Sequence, residues 1–302
     1  MAQPVEPVVT TCYRHPKRRA GVSCQRCDRP ICPDCMVQAS VGFHCPECTK
    51  TAAKNSPVIT ARSFEVQPIV TQVLIALNVA AFLAVLATGG SVIDGGGRLS
   101  DSTTLISFNS YALHPTMAHD GVAGGEWYRL VTSGFLHYGI IHLGLNMVVL
   151  WLVGAQLEKA IGHARYVALY FVALLAGSFA VLMFSPDVAA AGASGAIFGL
   201  LGAMFAYQRD RGINPVQSGL VGLIVINIAF TFLGHNISIA AHIGGLVAGF
   251  AAGWMMFQLE RRANNVWAGV VACAVIGWIL AIAGVWAAHR DLLNYAATAV
   301  GR

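Results

Sequence analysis

The sequence has 302 residues, of which 56% are hydrophobic and only 11% are charged. Soluble domains carry about 25% charged residues, so this composition excludes an ordinary soluble protein and indicates a membrane protein. The formal net charge of +5 is unevenly distributed, because about half of the Lys and Arg residues precede residue 66. We interpret this asymmetry as a signal of membrane orientation and expect no nucleic-acid partner. Residues 1–60 are polar and do not resemble a signal peptide.

The N-terminal segment is dominated by cysteine. Seven of the eight cysteines lie between residues 12 and 48, and the eighth, Cys273, falls in an apolar run where we expect it to pack. The seven form Cys-x2-Cys and Cys-x2-His pairs, which bind zinc because one tight turn aims two ligand atoms at one ion. Eight ligands hold two tetrahedral zinc ions in a cross-braced arrangement. The first ion is assigned Cys12, His15, Cys32 and Cys35, and the second is assigned Cys24, Cys27, Cys45 and Cys48.

Two alternatives to this assignment remain open. His44 could replace Cys45 in the second set, and the whole segment could be a disulfide-rich extracellular module. The odd number of cysteines and an expected cytoplasmic location, where thiols stay reduced, both favour zinc. The segment over residues 12–48 resembles the B-box class of zinc fingers. We expect it to be a docking or regulatory module for a cytoplasmic protein partner.

Hydrophobic runs of membrane-spanning length recur from residue 69 onward. The connectors after the second, fourth and sixth runs contain Lys or Arg, whereas those after the third and fifth contain neither. By the positive-inside rule, we expect a multi-pass protein of the plasma membrane with a cytoplasmic N-terminus. The predicted helices cover residues 69–87, 138–158, 165–184, 194–208, 217–234, 240–259 and 266–287.

The longest connector in the membrane part covers residues 88–137, on the predicted outer side. It becomes amphipathic around Trp127, Tyr128 and Arg129. This pattern is typical of the bilayer interface, where aromatic rings lie at headgroup depth and arginine extends towards water.

Ser194 lies between Gly192 and Gly195 at the start of the fourth predicted helix. A single serine in a membrane helix is most often a small residue that allows close packing. Here, however, the start of a helix offers unpaired backbone N–H groups that can stabilise an oxyanion. The hydrolase pattern Gly-x-Ser-x-Gly is not matched, because Ala196 stands at its last position. We interpret Ser194 as a candidate nucleophile.

His242 lies in the sixth predicted helix, and an ionisable residue there is costly and therefore a functional candidate. By itself it could serve as a proton relay or a ligand. It is followed by Gly245, Gly249 and Gly253, which form a ridge of small residues on one helix face. Glycines also follow Ser194, so the two helices are expected to approach closely and bring the hydroxyl to the imidazole.

His142 and Asn146 are four residues apart and therefore share one face of the second helix. Both are suitable donors to a developing oxyanion, although an interhelical hydrogen bond is an alternative. His137 lies at the membrane boundary and is assigned no chemistry. No acidic residue on the core helices is placed to orient His242, which predicts a catalytic dyad and not a triad.

Together these residues resemble the rhomboid family of intramembrane serine proteases. The resemblance implies that Ser194 is the nucleophile, His242 the general base, and His142 and Asn146 oxyanion donors beside the Ser194 amide. It implies that Phe198 stacks near the catalytic histidine, that catalysis needs no cofactor, and that transmembrane substrates are cut near their outer end. The matched motifs, in order within residues 69–260, are Trp127-Tyr128-Arg129, His142-x3-Asn146, Gly192-Ala193-Ser194-Gly195 and Ala241-His242-x2-Gly245-x3-Gly249.

The predicted fold is an all-α polytopic membrane protein with a rhomboid-like six-helix core, a seventh C-terminal transmembrane helix and a small N-terminal zinc-binding domain. The expected divisions are the zinc-binding domain over residues 1–50, a linker over 51–67, the protease core over 68–260, and the seventh helix with a short tail over 261–302. The main alternative is a catalytically silent relative that binds membrane clients, although such relatives usually lose the serine or the histidine. A transporter is disfavoured, because the sequence has no inverted repeat and no midplane carboxylate.

Overall fold

The computed structural model describes residues 10–39, 42–55, 66–104, 121–233 and 238–300. The chain divides into two compact units, Met1–Glu65 and Val66–Arg302. Most of the predicted linker, residues 56–65, lies outside the described residues.

The first unit is built from very short elements around sulfur atoms. Its buried core consists of Ile31 and five cysteines, with Tyr13, Met36 and Phe43 packed at the edge. Two-residue strands have no independent stability, and this core contains little apolar surface. The cysteine side chains must therefore stabilise the unit by an interaction other than apolar packing. The antiparallel pairs are β1 (Val22–Ser23) with β2 (Pro30–Ile31) and β3 (Val37–Gln38) with β4 (Phe43–His44), and helix α1 follows (Pro46–Asn55).

The second unit is helical. In chain order its helices are α2 (Ile69–Ala87), α3 (Gly97–Thr103), α4 (Arg129–Thr132), α5 (Gly139–Ile161), α6 (His163–Phe184), α7 (Ser194–Asp210), α8 (Leu220–Leu233), α9 (Ile239–Ala263) and α10 (Val266–Val300). Five of the described helices, namely α2, α5, α6, α9 and α10, are long and apolar enough to cross a membrane. The predicted all-α polytopic class is therefore confirmed.

Each of the seven predicted hydrophobic runs coincides with a helix; the bounds of α2 agree with the prediction, and those of the others differ by one or more residues. Helix α8 begins at Leu220 and not at residue 217, because Gly219 has a positive φ of 81° that interrupts the helical path. Helix α10 continues to Val300, whereas the sequence predicted an end at residue 287. The polar stretch His289–Asp291 suggested a boundary there. It contains no glycine or proline, however, and charged side chains do not by themselves end a helix.

The backbones of α7 and α9 approach each other closely. A side chain at Gly245 would collide with the carbonyl oxygen of Gly195, and one at Gly249 would collide with the carbonyl oxygen of Gly199. Only hydrogen fits at either position, so the predicted ridge of small residues is needed for the two helices to approach this closely. Ser194 begins α7 and His242 lies in the first turn of α9, so this contact also fixes their separation.

The connector between α2 and α5 is held by a buried arginine. Arg129 is only 3% exposed and donates to the carbonyl oxygens of Asp101 and Thr104, both at 2.8 Å, and to the carboxylate of Glu126. The expectation that Arg129 extends towards water at the bilayer interface is therefore wrong. Burial raises the pKa of Glu126, but the hydrogen bonds it accepts from Gly121, Tyr128 and Arg129 outweigh burial and lower that pKa.

Helix α10 packs against the same connector. Ala287 and Ala288 are fully buried, in one cluster with Val122 and Leu130 of the connector and Leu182 of α6. The part of α10 around its predicted end is thus packed against the connector between α2 and α5.

We predict that Gly249→Ala destabilises the membrane unit by about 1–3 kcal/mol, because the added methyl overpacks the α7–α9 contact. The free energy of unfolding, measured by titrating detergent micelles with SDS, checks this value. Gly144→Ala in α5 is the matched control, since no atom lies within 4 Å of a side chain there. Equal stability of the two variants would contradict the close contact.

Candidate active site

Ser194 is presented by a glycine turn at the start of α7. The backbone N–H of Gly192 donates to the carbonyl oxygen of Ser133 at 2.9 Å, which anchors the turn. Gly192 has a φ of 131°, and a Cβ atom there would lie 2.9 Å from Cε1 of His142. Both the backbone conformation and the available space therefore require glycine at this position.

His242 faces Ser194 across the α7–α9 contact. Its Nε2 lies 2.7 Å from Oγ of Ser194, although 48 residues separate the two in sequence. Phe198, one turn after Ser194, stacks on the imidazole with ring centroids 4.2 Å apart and planes 15° from parallel. His242 is 6% exposed, and Ser194 is half-buried. A serine within hydrogen-bond reach of an imidazole is the arrangement that activates a nucleophile.

The second nitrogen of the same imidazole has a partner that the sequence reasoning missed. Oγ1 of Thr231, on α8, lies 2.7 Å from Nδ1 of His242. Thr231 is not acidic, and the sequence pattern indicated only that no acidic residue could orient His242. A weaker signal was available, because Asn227 and Thr231 are four residues apart and form a polar pair on an otherwise apolar helix.

His142 lies on the other side of Ser194. The backbone N–H of Tyr138 donates to its Nδ1 at 3.3 Å, which leaves a proton on Nε2. That edge of the ring adjoins Gly192, so the Nε2–H group is available to a ligand at Ser194. The rings of His137 and His142 are 5.1 Å apart in an edge-to-face arrangement. His137 thus supports His142 by packing.

Asn146 is buried one turn further along α5. Its Nδ2 donates to the carbonyl oxygen of His142 at 2.9 Å, which ties the two residues together. Among the described residues that line the cavity at Ser194, His142 is present and Asn146 is not. The structure thus brings Ser194, His242 and His142 together directly, and connects Asn146 to them through His142.

A small cavity of about 40 Å³ opens beside Ser194. It has polar groups from Ser133, Ser178, Ser194, His142 and His242, and glycine and alanine occupy much of the remaining wall. This volume accommodates a single water molecule or a methyl-sized group.

Comparison with known proteins agrees with this geometry. The Rhomboid domain family model matches residues 124–259. The rhomboid protein YdcA of Bacillus subtilis is 33% identical over 146 residues, which cover 47% of this chain and 73% of YdcA. The chain belongs to the rhomboid family. Rhomboid protease GluP of the same organism is 36% identical over 189 residues, or 62% of this chain and 34% of GluP. RHOMBOID-like protein 4 of Arabidopsis thaliana is 28% identical over 59% of this chain and 50% of its own length.

The chain therefore spans about a third of GluP and half of the Arabidopsis relative, so the likeness concerns the rhomboid domain and not those whole proteins. The matched range includes both Ser194 and His242. It begins after the cysteine-rich unit, which is accordingly an addition to the rhomboid domain in this chain.

Two groups of ligand atoms in the N-terminal unit have the geometry of metal sites. In each group the ligand atoms lie within 4.8 Å of one another. The first comprises Cys12, His15, Cys32 and Cys35, and the second comprises Cys24, Cys27, Cys45 and Cys48. These are the cross-braced sets that the spacing predicted, and His44 is in neither.

The distances within each group fit a tetrahedral ion. Two thiolates bound at 2.3 Å to a tetrahedral zinc ion are about 3.8 Å apart, and the Sγ atoms of Cys27 and Cys45 are separated by 3.8 Å. In the first group, Nδ1 of His15 lies 3.3 Å from Sγ of Cys32 and 3.4 Å from Sγ of Cys35.

Backbone amides stabilise the thiolate form of these ligands. The N–H of Cys45 donates to Sγ of Cys24, and the N–H of Cys48 donates to Sγ of Cys45. Burial raises the pKa of the Cys24 thiol, but hydrogen bonds from backbone N–H groups outweigh burial and lower that pKa to about 6. Both groups can therefore hold a metal ion.

Proposed function

We propose that this rhomboid is an intramembrane serine endopeptidase that cleaves single-pass membrane proteins within or near their transmembrane segment. The observation that carries this proposal is the 2.7 Å contact between Oγ of Ser194 and Nε2 of His242 inside a bundle of apolar helices. Serine and histidine are common residues, so their presence alone indicates no activity. A half-buried serine and a buried histidine at this distance, on two helices held close by glycine contacts, have no evident packing purpose. The names of the bacterial relatives as rhomboid proteases support the same activity.

The first chemical step is acylation of the enzyme. As Oγ of Ser194 bonds to the carbonyl carbon of the scissile peptide, its proton passes to Nε2 of His242. The carbonyl oxygen becomes an oxyanion. When the intermediate collapses, the C–N bond breaks, and the imidazolium returns the proton to the leaving amine.

The second step releases the acyl group. Water donates a proton to Nε2 of His242 and attacks the ester carbon. Breakage of the ester C–O bond then restores the Ser194 hydroxyl with the proton from the imidazolium. The cavity beside Ser194 has the volume and the polar wall that this water needs.

We assign oxyanion stabilisation to Nε2–H of His142 and the backbone N–H of Ser194. His142 is held by Tyr138 and Gly192 with its Nε2 edge towards the nucleophile, and the first amides of a helix have no intrahelical acceptor. Asn146 is assigned to the same donor group. Its amide has two N–H bonds, of which the carbonyl oxygen of His142 takes one.

The surroundings of the site support the substrate class. Ser194 and His242 lie in apolar helices, so a peptide must reach them from the membrane or its outer boundary. The small cavity selects small side chains next to the scissile bond. We place the protein in the plasma membrane, with the N-terminus in the cytoplasm and the lipid bilayer around the helical unit, because of the charge pattern of the connectors.

We propose that the N-terminal unit holds two structural zinc ions and that catalysis uses no cofactor. Thiolate and imidazole ligands in sets of four favour zinc among common divalent ions. Ions bound there would replace the apolar core that the unit does not have. We interpret the unit as a docking module for a cytoplasmic protein partner, outside the rhomboid domain.

We predict that the wild-type protein in detergent reacts with a fluorescent fluorophosphonate, whereas Ser194→Ala and His242→Ala do not, because only the intact pair provides an activated hydroxyl. In-gel fluorescence measures the labelling, and a thermal unfolding assay verifies that each variant is folded. Ser218→Ala, in the connector between α7 and α8, is the matched control and labels normally. Labelling of Ser194→Ala, or a folded wild type that does not react, would contradict the proposed nucleophile.

We predict about two zinc ions per chain by elemental mass spectrometry. Cys24→Ser removes a ligand of one set and lowers the content to about one ion, whereas Cys273→Ser, the matched control in α10, retains both. Chelation lowers the zinc content but preserves fluorophosphonate labelling, since the two sites share no residue. A Cys24→Ser variant with undiminished zinc would contradict the assigned ligands.

A further inference from the structure

Thr231 contacts the imidazole of His242 on the side opposite to Ser194. Its Oγ1 is 2.7 Å from Nδ1, and the Thr231 and His242 side chains are both almost completely buried. The contact joins two consecutive helices, α8 and α9, and the two residues are 11 positions apart in the sequence. It therefore reflects tertiary packing and not a local helical contact.

The hydrogen atoms determine the direction of this bond. The Thr231 hydroxyl has one hydrogen, and Oγ1 lies 3.0 Å from the carbonyl oxygen of Asn227, which can only accept. Because the hydroxyl donates to Asn227, it must accept from Nδ1–H of His242. The proton on Nδ1 leaves a lone pair on Nε2, the atom that faces Ser194.

We propose that Thr231 is a positioning residue that holds His242 in the Nδ1–H tautomer and thereby makes Nε2 a base. This inference rests on the proposed serine protease function. The hydroxyl supplies the orientation that an acidic residue supplies in a catalytic triad. A neutral acceptor suits a membrane helix, since a buried carboxylate there is costly.

The described residues of the cavity on this side offer the imidazole no substitute side-chain partner. A cavity of about 70 Å³ adjoins Thr231 and His242, and its other described lining residues are apolar: Phe198, Ile228, Phe232, Ile239, Ile243 and Leu246. If the hydroxyl is removed, Nδ1–H has no acceptor among these residues, and an unsatisfied buried donor is unfavourable. Stacking on Phe198 fixes the plane of the ring but not which nitrogen carries the proton.

During acylation, Nε2 takes the proton of Ser194 while Nδ1–H remains hydrogen-bonded to Thr231. The imidazolium then carries both protons, and Thr231 gains and loses none. When Nε2 gives its proton to the leaving amine, the same tautomer is restored for the water step. Thr231 acts on the reaction only through the histidine.

The test is the rate of fluorophosphonate labelling as a function of probe concentration, which separates kinact from KI. Thr231→Val preserves the shape of the side chain and removes the hydroxyl, and Thr231→Ser preserves the hydroxyl. We expect Thr231→Val to lower kinact about tenfold with little change in KI, and Thr231→Ser to restore kinact to near the wild-type value. Thr88→Val is the matched control, because Thr88 also donates to carbonyl oxygens of its own helix but contacts no histidine.

The outcomes separate this inference from the proposed function. A folded wild type that does not label overturns the protease assignment and this inference with it. If the wild type labels and Thr231→Val has an unchanged kinact, or Thr231→Ser loses as much as Thr231→Val, the role of Thr231 is overturned and the protease assignment remains. If Thr231→Val does not fold, Thr231→Ala and Thr231→Ser replace it as a pair that differs by one hydroxyl group. Equal kinact in that pair overturns the inference.

Discussion

The contact between the backbones of α7 and α9 is the constraint on which the helical unit depends. Gly245 and Gly249 approach the carbonyl oxygens of Gly195 and Gly199 so closely that no side chain fits. In a bilayer, helices gain nothing by hiding apolar surface from each other, so close packing and polar contacts must hold them together. The same packing that stabilises the bundle therefore determines the distance between the hydroxyl and the imidazole.

Several polar groups near the site have a partner that also restricts their orientation. Thr231 and Ser194 bind the two nitrogens of His242, and the backbone N–H of Tyr138 binds His142. At the far end of α5, Glu158 accepts hydrogen bonds from the first amides of α2 and from the hydroxyl of Thr71, which satisfies a buried carboxylate. Unpaired polar groups are unfavourable inside a membrane protein. The hydrogen bond that satisfies such a group also fixes its orientation.

The sequence predicted those features that depend on local pattern. Helices follow from long apolar runs, and the pairing of Ser194 with His242 followed from glycines at helical spacing. The contact between Thr231 and His242 was not predicted, because the sequence does not indicate which residue of a neighbouring helix a hydroxyl on an apolar helix will contact. Arg129 was predicted at the water boundary, since an arginine beside aromatic residues has that preference unless tertiary contacts provide carbonyl acceptors, as they do here. The extension of α10 was not predicted, because the apolar run that marks a membrane helix ends before His289, whereas the helix itself continues.

The two units owe their stability to different interactions, and this difference bears on how the chain works. The N-terminal unit has a core rich in sulfur atoms, and we expect its folding to depend on metal ions in its two ligand groups. The helical unit has a large apolar core of its own, which contains no residue of those groups. Loss of metal can thus unfold the first unit while the geometry at Ser194 persists. The proposed docking module could then change its metal occupancy without altering the chemistry at Ser194.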